Sequence, residues 1–337
     1  MMKFKDYFTP QSLVYTGVHT NVGTKITHYQ IGKSNILVTE DFKQLENRKD
    51  YIQIIGLSDV EKIQSIRDHF DIDPLILEDI FNVKQRNKLE MKANYLFGVF
   101  HVIYMDQETI KDDYMSVLLY QDTLVSFHEN EPKFLSALPS FILNHKEVLS
   151  RPIDYLFYTI LDIITDHHLS VFDHLEETTT QFEEDILEQK NVNQDTFYLI
   201  RKQLLKLNNS VNPILEQLNQ VLLSKSALFA LENAAFYDDL SDHLSRLANH
   251  LNQTRELQRH LLDLHMSNQS NKMNRIITTL TLFSAIFIPL SFLAGFFGMN
   301  FVHFPILQYE HALTLFIGLC VILAGLMVLL FKKMKWF

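Results

Sequence analysis

The 337-residue sequence holds one cysteine, Cys320, so no disulfide within the chain is possible, which suits a reducing compartment for the soluble part. Glycine is absent from residue 99 to residue 294. No phosphate-binding glycine loop, nucleophile elbow or plausible catalytic triad is found, and the glycine gap speaks against an ATP-driven pump. No enzyme chemistry and no bound nucleotide are expected. Proline is scarce too: between Ile153 and Ala294 only Pro213 and Pro289 occur. About 140 residues with that little punctuation have the composition of long helices. The segment Met1–Asp6 lacks an apolar run, so no secretory signal is expected.

Basic residues are also in deficit. Of 40 acids and 30 bases, residues 276–337 hold one acid (Glu310) and three bases (Lys332, Lys333, Lys335). That leaves 39 and 27, a net of −12, for residues 1–275. An acidic balance argues against nucleic acid as a partner. It accords with cation binding, and solubility accounts for it equally well.

The stretch that organises the chain runs from Arg275 to Asn300. Ile276 to Phe297 is 22 residues without a charge. At about 1.5 Å per residue it makes roughly 33 Å of helix, enough for a hydrocarbon core of about 30 Å. A second uncharged run covers Ala312 to Phe331. Lys272 and Arg275 precede the first span, Lys332, Lys333 and Lys335 follow the second, and residues 298–311 contain no Lys or Arg. The positive-inside rule therefore predicts both termini in the cytoplasm and a short outer loop.

Along one face the first span reads Asn274, Ile277, Leu280 (or Thr281), Ser284, Ile288, Ser291 and Gly295. The opposite face carries Phe283, Phe287, Phe292 and Phe296. Small residues in such a helix mark helix packing more often than a pore. Pro289 should kink the helix. One pore-lining span per subunit cannot enclose a pore, so an ion path needs several copies about an axis. Neither span contains Asp, Glu, Lys, Arg or His, the groups a proton relay uses. Neutral oxygens at the mouth suit a passive filter for a hydrated cation. Mg²⁺ dehydrates reluctantly, so a ring of asparagine oxygens holding its waters is chemically sensible, and oxygen ligands disfavour soft metals.

Upstream, residues 1–150 read as a mixed domain of strands and helices. Strand-like runs are Ser12–Thr16, Asn35–Thr39, Tyr51–Gly56, Tyr95–Met105, Met115–Gln121 and Thr123–His128, with Gln121-Asp122 as a tight hairpin. Helical spacing appears over Asp59–Phe70, with Ser58 or Asp59 as the cap, then from Pro74, and again over 132–148. Residues 151–275 should be long helices, near 153–188 and 194–225 and then from about 229–238 to Pro289 without a stop. In the third, Leu240, Leu244, Leu247 and Leu251 form a seam of coiled-coil type that slips before Leu257, Leu261 and Leu264. Asp166, His167, His168, Asp173 and His174 invite a zinc reading through their seven-residue spacing. Without cysteine or HExxH, a solvated helix face is the default.

Two segments carry a resemblance. Ile286–Leu307, IFIPLSFLAGFFGMNFVHFPIL, closely resembles the CorA Mg²⁺ channel family, with Gly298-Met299-Asn300 at the outer end of the first of two C-terminal spans. Pro74–Arg86, PLILEDIFNVKQR, is similar to that family's HPLxLEDxLNxxQRP segment. The basic terminus and the overall layout match as well, so the likeness covers nearly the whole chain. It implies an α+β cytoplasmic domain (1–150), a long helical stalk (151–275), a pore-lining transmembrane helix (276–297), an outer loop with the Gly-Met-Asn motif (298–311), a second transmembrane helix (312–331) and a basic cytoplasmic tail (332–337). The implied assembly is a funnel-shaped homopentamer in the cell membrane.

In that family Asn300 would ring the entrance and hold hydrated Mg²⁺, helped by the Gly298 carbonyl and flanked by Met299. Asn274 would stand at the inner mouth, with a hydrophobic constriction at Ile277, Leu280 and Ile288. Cytoplasmic Mg²⁺, both transported and regulatory, would be sensed between subunits by Asp79 and Asp263. A second cluster would be Glu78, Asp162 and Asp239. The sequence departs from the family at four positions: Phe297 replaces a usual Tyr, Ile306 replaces the loop acid, and Asp73 and Asn87 replace a His and a Pro. Three functions follow: a Mg²⁺ channel that also passes Co²⁺ or Ni²⁺, which is preferred; a Zn²⁺ transporter of the related ZntB branch; and a membrane-anchored coiled-coil scaffold without transport.

Overall fold

A computed structural model describes residues 14–40, 48–190, 192–299 and 309–334. The chain divides into two compact units after Arg259. The first unit is built on seven strands: β1 (Lys25–Ile31), β2 (Ile36–Thr39), β3 (Lys49–Ile55), β4 (Lys88–Met91), β5 (Leu96–Asp106), β6 (Thr109–Leu119) and β7 (Thr123–His128). They form one sheet in the order β2-β1-β3-β7-β6-β5-β4. Every neighbouring pair is antiparallel except β3 and β7, which run parallel with Ile52 opposite Val125.

Strand periodicity sorts the side chains into two cores. Ile52, Ile54, Phe97, Val99 and Phe127 pack with α1 (Val60–Phe70) and α2 (Pro74–Phe81) on one side. Tyr51, Phe100, Val102, Tyr104 and Met115 face the other way. There they join α3 (Leu138–Asn144), α4 (Lys146–Ser150), α5 (Asp154–Leu187), α6 (Gln194–Leu223) and the first part of α7 (Ala234–Phe297).

Local chemistry sets the element ends. The Asp59 carboxylate accepts the Lys62 N–H at 3.1 Å and starts α1, which stops at Asp71 in the left-handed region. Asp73 accepts the Leu75 N–H at 2.8 Å, with Pro74 at the first helical position of α2. The Gln121-Asp122 hairpin is present: Leu119 pairs with Leu124, and Tyr120 N–H donates to Thr123 C=O at 2.7 Å.

Several expectations are corrected. Residues 14–16 form no strand, while Ser12 lies outside the described residues. β1 was hidden because its buried positions include polar side chains; His28 is paired with Asp50 at 2.8 Å. The span 132–148 is not one helix. A 3-10 turn at Lys133–Leu135 comes first, and α3 and α4 are separated by His145 in extended conformation. The α7 seam does not slip. Leu251 is followed by Thr254, Gln258, Leu261 and His265, all buried, at steps of 3, 4, 3 and 4. Polar residues occupy the inward positions, so a pattern of leucines alone loses the register.

The second unit holds the rest of α7 and α8 (Ala312–Lys333). Both α7 and α8 are long and apolar enough to cross a membrane. Only 6% of the apolar window of α7 and none of that of α8 is buried. α7 continues as helix through Pro289, whose ring nitrogen has no hydrogen to give the Ala285 carbonyl.

Candidate ion pathway

The helical repeat puts Asn274, Ile277, Leu280, Ser284, Ile288, Ser291 and Gly295 along one stripe of α7. In a single copy that stripe is open. Ile277, Leu280 and Ile288 are more than half exposed, and a Cβ added at Gly295 would meet nothing within 4 Å. The phenylalanine stripe is open as well, with Phe283, Phe287 and Phe292 at least 60% exposed. A groove along residues 271–286 is bordered by Asn271, Asn274, Ile277 and Thr281. No acid or base lies between Ile276 and Phe297, so the only polar groups there are hydroxyls and backbone.

The C-terminal end of α7 closes on its own carbonyls. Gly298 N–H donates to Ala294 C=O at 2.9 Å, and a Cβ at Gly298 would stand 3.0 Å from that oxygen. Glycine therefore lets the last turn wrap tightly. Met299 is half exposed and its N–H reaches Phe296 C=O at 3.4 Å. Phe297 packs on Phe316 of α8, ring centres 5.3 Å apart. An aromatic ring without a hydroxyl here serves contact between the two helices. Asn300 and Ile306 lie outside the described residues.

The candidate sensing carboxylates differ sharply from one another. Asp79 is half-buried and engaged within the chain: Lys88 Nζ lies 2.6 Å from Oδ2, and Gln85 Nε2 donates to Oδ1 at 2.8 Å. Glu78, one residue earlier, is exposed. Asp263 is exposed on α7. Asp162 of α5 and Asp239 of α7 are brought together beside Tyr158, Asp166 and His243. Burial first, then the charges of Asp166 and Asp239, raise the Asp162 carboxyl above its ordinary value, and His243 and then the Tyr158 hydroxyl partly offset this. Glu78 does not join them in a metal-binding group: among the described residues no three His, Cys, Asp or Glu are arranged to hold an ion.

The histidine cluster of α5 is not a wholly solvated face. His168 is fully buried, its Nε2 takes the Ile103 N–H at 3.3 Å, and burial lowers its imidazole to about 4. His167 Nε2 lies 3.1 Å from Phe134 C=O, while Asp166, Asp173 and His174 are exposed. The cluster that sequence reasoning missed is the set around Asp79, namely Gln85, Lys88, Glu90 and Lys92. Its signal was the alternation Lys88, Glu90, Lys92, which a strand places on one side.

Against these features, the profile described as "CorA-like Mg2+ transporter protein" matches residues 51–333. The chain belongs to this family. It is 28% identical to the cobalt/magnesium transport protein CorA of Thermotoga maritima, over 97% of this chain and 96% of that protein. It is also 28% identical to the zinc transport protein ZntB of Pectobacterium atrosepticum, but over 53% of this chain and 54% of that one. The complete structure of the CorA magnesium transporter of Methanocaldococcus jannaschii superposes with a TM-score of 0.78 at 20% identity, covering 94% of this chain and 99% of that one. The fold is thus the full-length CorA fold, and the chain is a CorA-like divalent-cation transporter with a membrane hairpin formed by α7 and α8.

Proposed function

We propose that this transporter is a Mg²⁺ channel, formed by several copies with α7 lining a central path, and five copies as the family resemblance implies. The observation that carries the reading is the stripe of α7 from Asn274 to Gly295. It is continuous, free of charge, alternates small or hydroxyl side chains with aliphatic ones, and is uncovered in one copy. Such a lining offers a hydrated dication no ligand that would strip its water, and closes by drying when aliphatic rings approach. Ile277, Leu280 and Ile288 form that constriction. Asn300 supplies a ring of amide oxygens at the outer mouth that hydrogen-bonds the waters of the ion, with Gly298 and Met299 shaping the turn that presents it. Asn274 repeats the chemistry at the inner end. Both termini lie in the cytoplasm, following the lysines of the flanks.

Gating follows from charge. When no divalent cation is bound, the repulsion between Asp79 and Asp263 of neighbouring copies is offset only in part by Lys88. Cytoplasmic Mg²⁺ relieves this and favours the symmetric closed state, and Asp162 and Asp239, with Glu78, add a second acidic locus. Coupling of this kind requires that the ion bind the closed state more tightly than the open one.

Flux into proteoliposomes with an entrapped Mg²⁺ indicator tests the reading. Asn300→Ala should abolish Mg²⁺ influx or its selectivity. An Asp79→Ala/Asp263→Ala double variant should keep conducting at millimolar internal Mg²⁺. No Mg²⁺ influx in the wild type would sink the proposal. Zn²⁺ influx in the same vesicles would then favour the second reading, a Zn²⁺ transporter, which the similarity to ZntB supports. Indifference of every variant to every ion would leave a scaffold.

A further inference from the structure

Asp79 is half-buried, and both of its carboxylate oxygens already accept a bond from the same chain: Oδ2 from Lys88 and Oδ1 from Gln85. Lys88 is nearly enclosed, its side chain 12% exposed against 23% for Asp79. Its ammonium is also 5.4 Å from the centre of the Phe97 ring. Such a contact is screened by salt far less than a surface pair. Lys88 has a second anion at hand. Its Nζ is 2.8 Å from Glu90 Oε1, and the other Glu90 oxygen holds Lys92 at 2.9 Å. Two carboxylates and two ammoniums thus form a neutral row, with Lys88 shared between Asp79 and Glu90.

The geometry points to Lys88 as a tethered cation that competes with a divalent cation for Asp79, with Glu90 as the anion that keeps Lys88 when the divalent cation wins. This rests on reading Asp79 as a sensing carboxylate. A dication bound to Asp79, directly or through its own water, would sit a few ångströms from the ammonium, and like charges at that distance repel strongly. Binding and the Asp79–Lys88 contact therefore oppose each other. The free energy of releasing Lys88 subtracts from that of binding, which raises the cytoplasmic ion concentration at which the channel closes. Glu90 limits that penalty, because Lys88 already touches it and need not be left unpaired in a protein interior. In this arrangement Lys88 sets the threshold upward and Glu90 sets it downward.

The opposite signs make the test. Full-length protein in proteoliposomes is assayed for Mg²⁺ influx while internal Mg²⁺ is varied, and the concentration that halves influx is read. A second readout in detergent is the Mg²⁺ midpoint for protection against limited proteolysis. Lys88→Met should lower both midpoints by about three- to tenfold, and Glu90→Gln should raise them by about two- to threefold. Asp79→Asn should raise them most. If Asp79→Asn raises the midpoints while Lys88→Met leaves them unchanged or raised, the competition is wrong and the sensor stands. If Asp79→Asn leaves them unchanged, the sensor reading falls and the competition falls with it. Should Lys88→Met fail to assemble, Glu90→Gln decides alone, since an unchanged or lowered midpoint there overturns the proposal.

Discussion

The sheet unit and the membrane hairpin are both rich in large apolar side chains, and they dispose of them in opposite ways. Ile54, Phe97, Phe100 and Val102 are fully buried, each on the side of the sheet its strand position dictates. Leu280, Phe287, Ile288 and Phe292 are all more than 60% exposed. Alternate strand positions face two covered sides of the sheet, so the first region buries its apolar surface within one copy. An unbroken apolar run has no polar side to turn to water, so the second region is complete only against lipid or further copies. Stability is thus a property of the single chain in one region and of the surroundings in the other. On the proposed reading, transport belongs to the region the chain leaves unfinished.

The sharpest way to break this contrast is a pair of matched truncations. Phe100→Ala should destabilise the sheet unit by about 3–5 kcal/mol through lost burial and a residual cavity. Phe287→Ala, at a position 61% exposed, should change it by less than about 1 kcal/mol. Denaturant unfolding of detergent-solubilised protein, followed by circular dichroism, checks both. Equal losses would mean that the α7 phenylalanines are packed within one copy after all.

Protonation gives the next largest effect, and it resides in the sheet unit. Burial pushes the His128 imidazole down to about 3 and that of His168 to about 4, so both are neutral in the fold. The unfolded chain takes up their protons below about pH 6.5, and each should then remove up to about 1.4 kcal/mol per pH unit as pH falls from 6.5 toward 4. His101 works with the opposite sign. Burial opposes its charge, yet Asp112 and the Gln85 carbonyl together hold its imidazole above the ordinary value. Its contribution is full below the unfolded value and is lost as pH rises through the raised folded one. Thermal unfolding against pH should therefore show a maximum near neutrality. His128→Gln should flatten the acid side, and His101→Gln the alkaline side.

The hairpin offers a smaller, chemical test. Cys320 is the sole cysteine, so a Cys320→Ala background accepts single reporters. If these positions bound the pore as proposed, cysteine at Ser284, Ile288 or Ser291 should let a water-soluble thiol reagent narrow it and cut Mg²⁺ influx by roughly tenfold. Cysteine at Phe283 or Phe287 should leave influx unchanged. Block from both stripes, or from the phenylalanine stripe alone, would reassign the face that lines the path.

What the sequence disclosed follows the same division. Runs without charge, the Gly-Met-Asn end and the caps at Asp59 and Asp73 are local signals, and the helices and spans were legible from them. The family likeness rested on two segments for the same reason. What stayed hidden depended on partners distant in sequence. β1 reads as polar until His28 finds Asp50. Asp79 reads as a free carboxylate until the fold brings Lys88 back to it, nine residues later and on a strand. The mapped pair Asp162 and Asp239 meets across two helices, whereas Glu78 does not reach a metal-binding group with them. Charge that is satisfied by the chain itself cannot be told from charge kept for a ligand by reading residues in order.

The α7 seam brings the smallest effect, and it tests whether the contrast extends along one helix. Thr254, Gln258 and His265 hold inward positions that leucine would fill in a seam built for stability alone. Gln258 is 2% exposed and its amide nitrogen has no hydrogen-bond partner among the described residues. A buried donor left without a partner costs about 1–3 kcal/mol, so Gln258→Leu should raise thermal stability by about 1 kcal/mol after the change in packing. If stability rises and the internal Mg²⁺ that halves influx stays fixed, the polar seam is a tolerated imperfection. If stability rises and the channel no longer closes, the seam is kept weak because the helix must shift when the ion leaves, and burial in this stretch has been traded for movement.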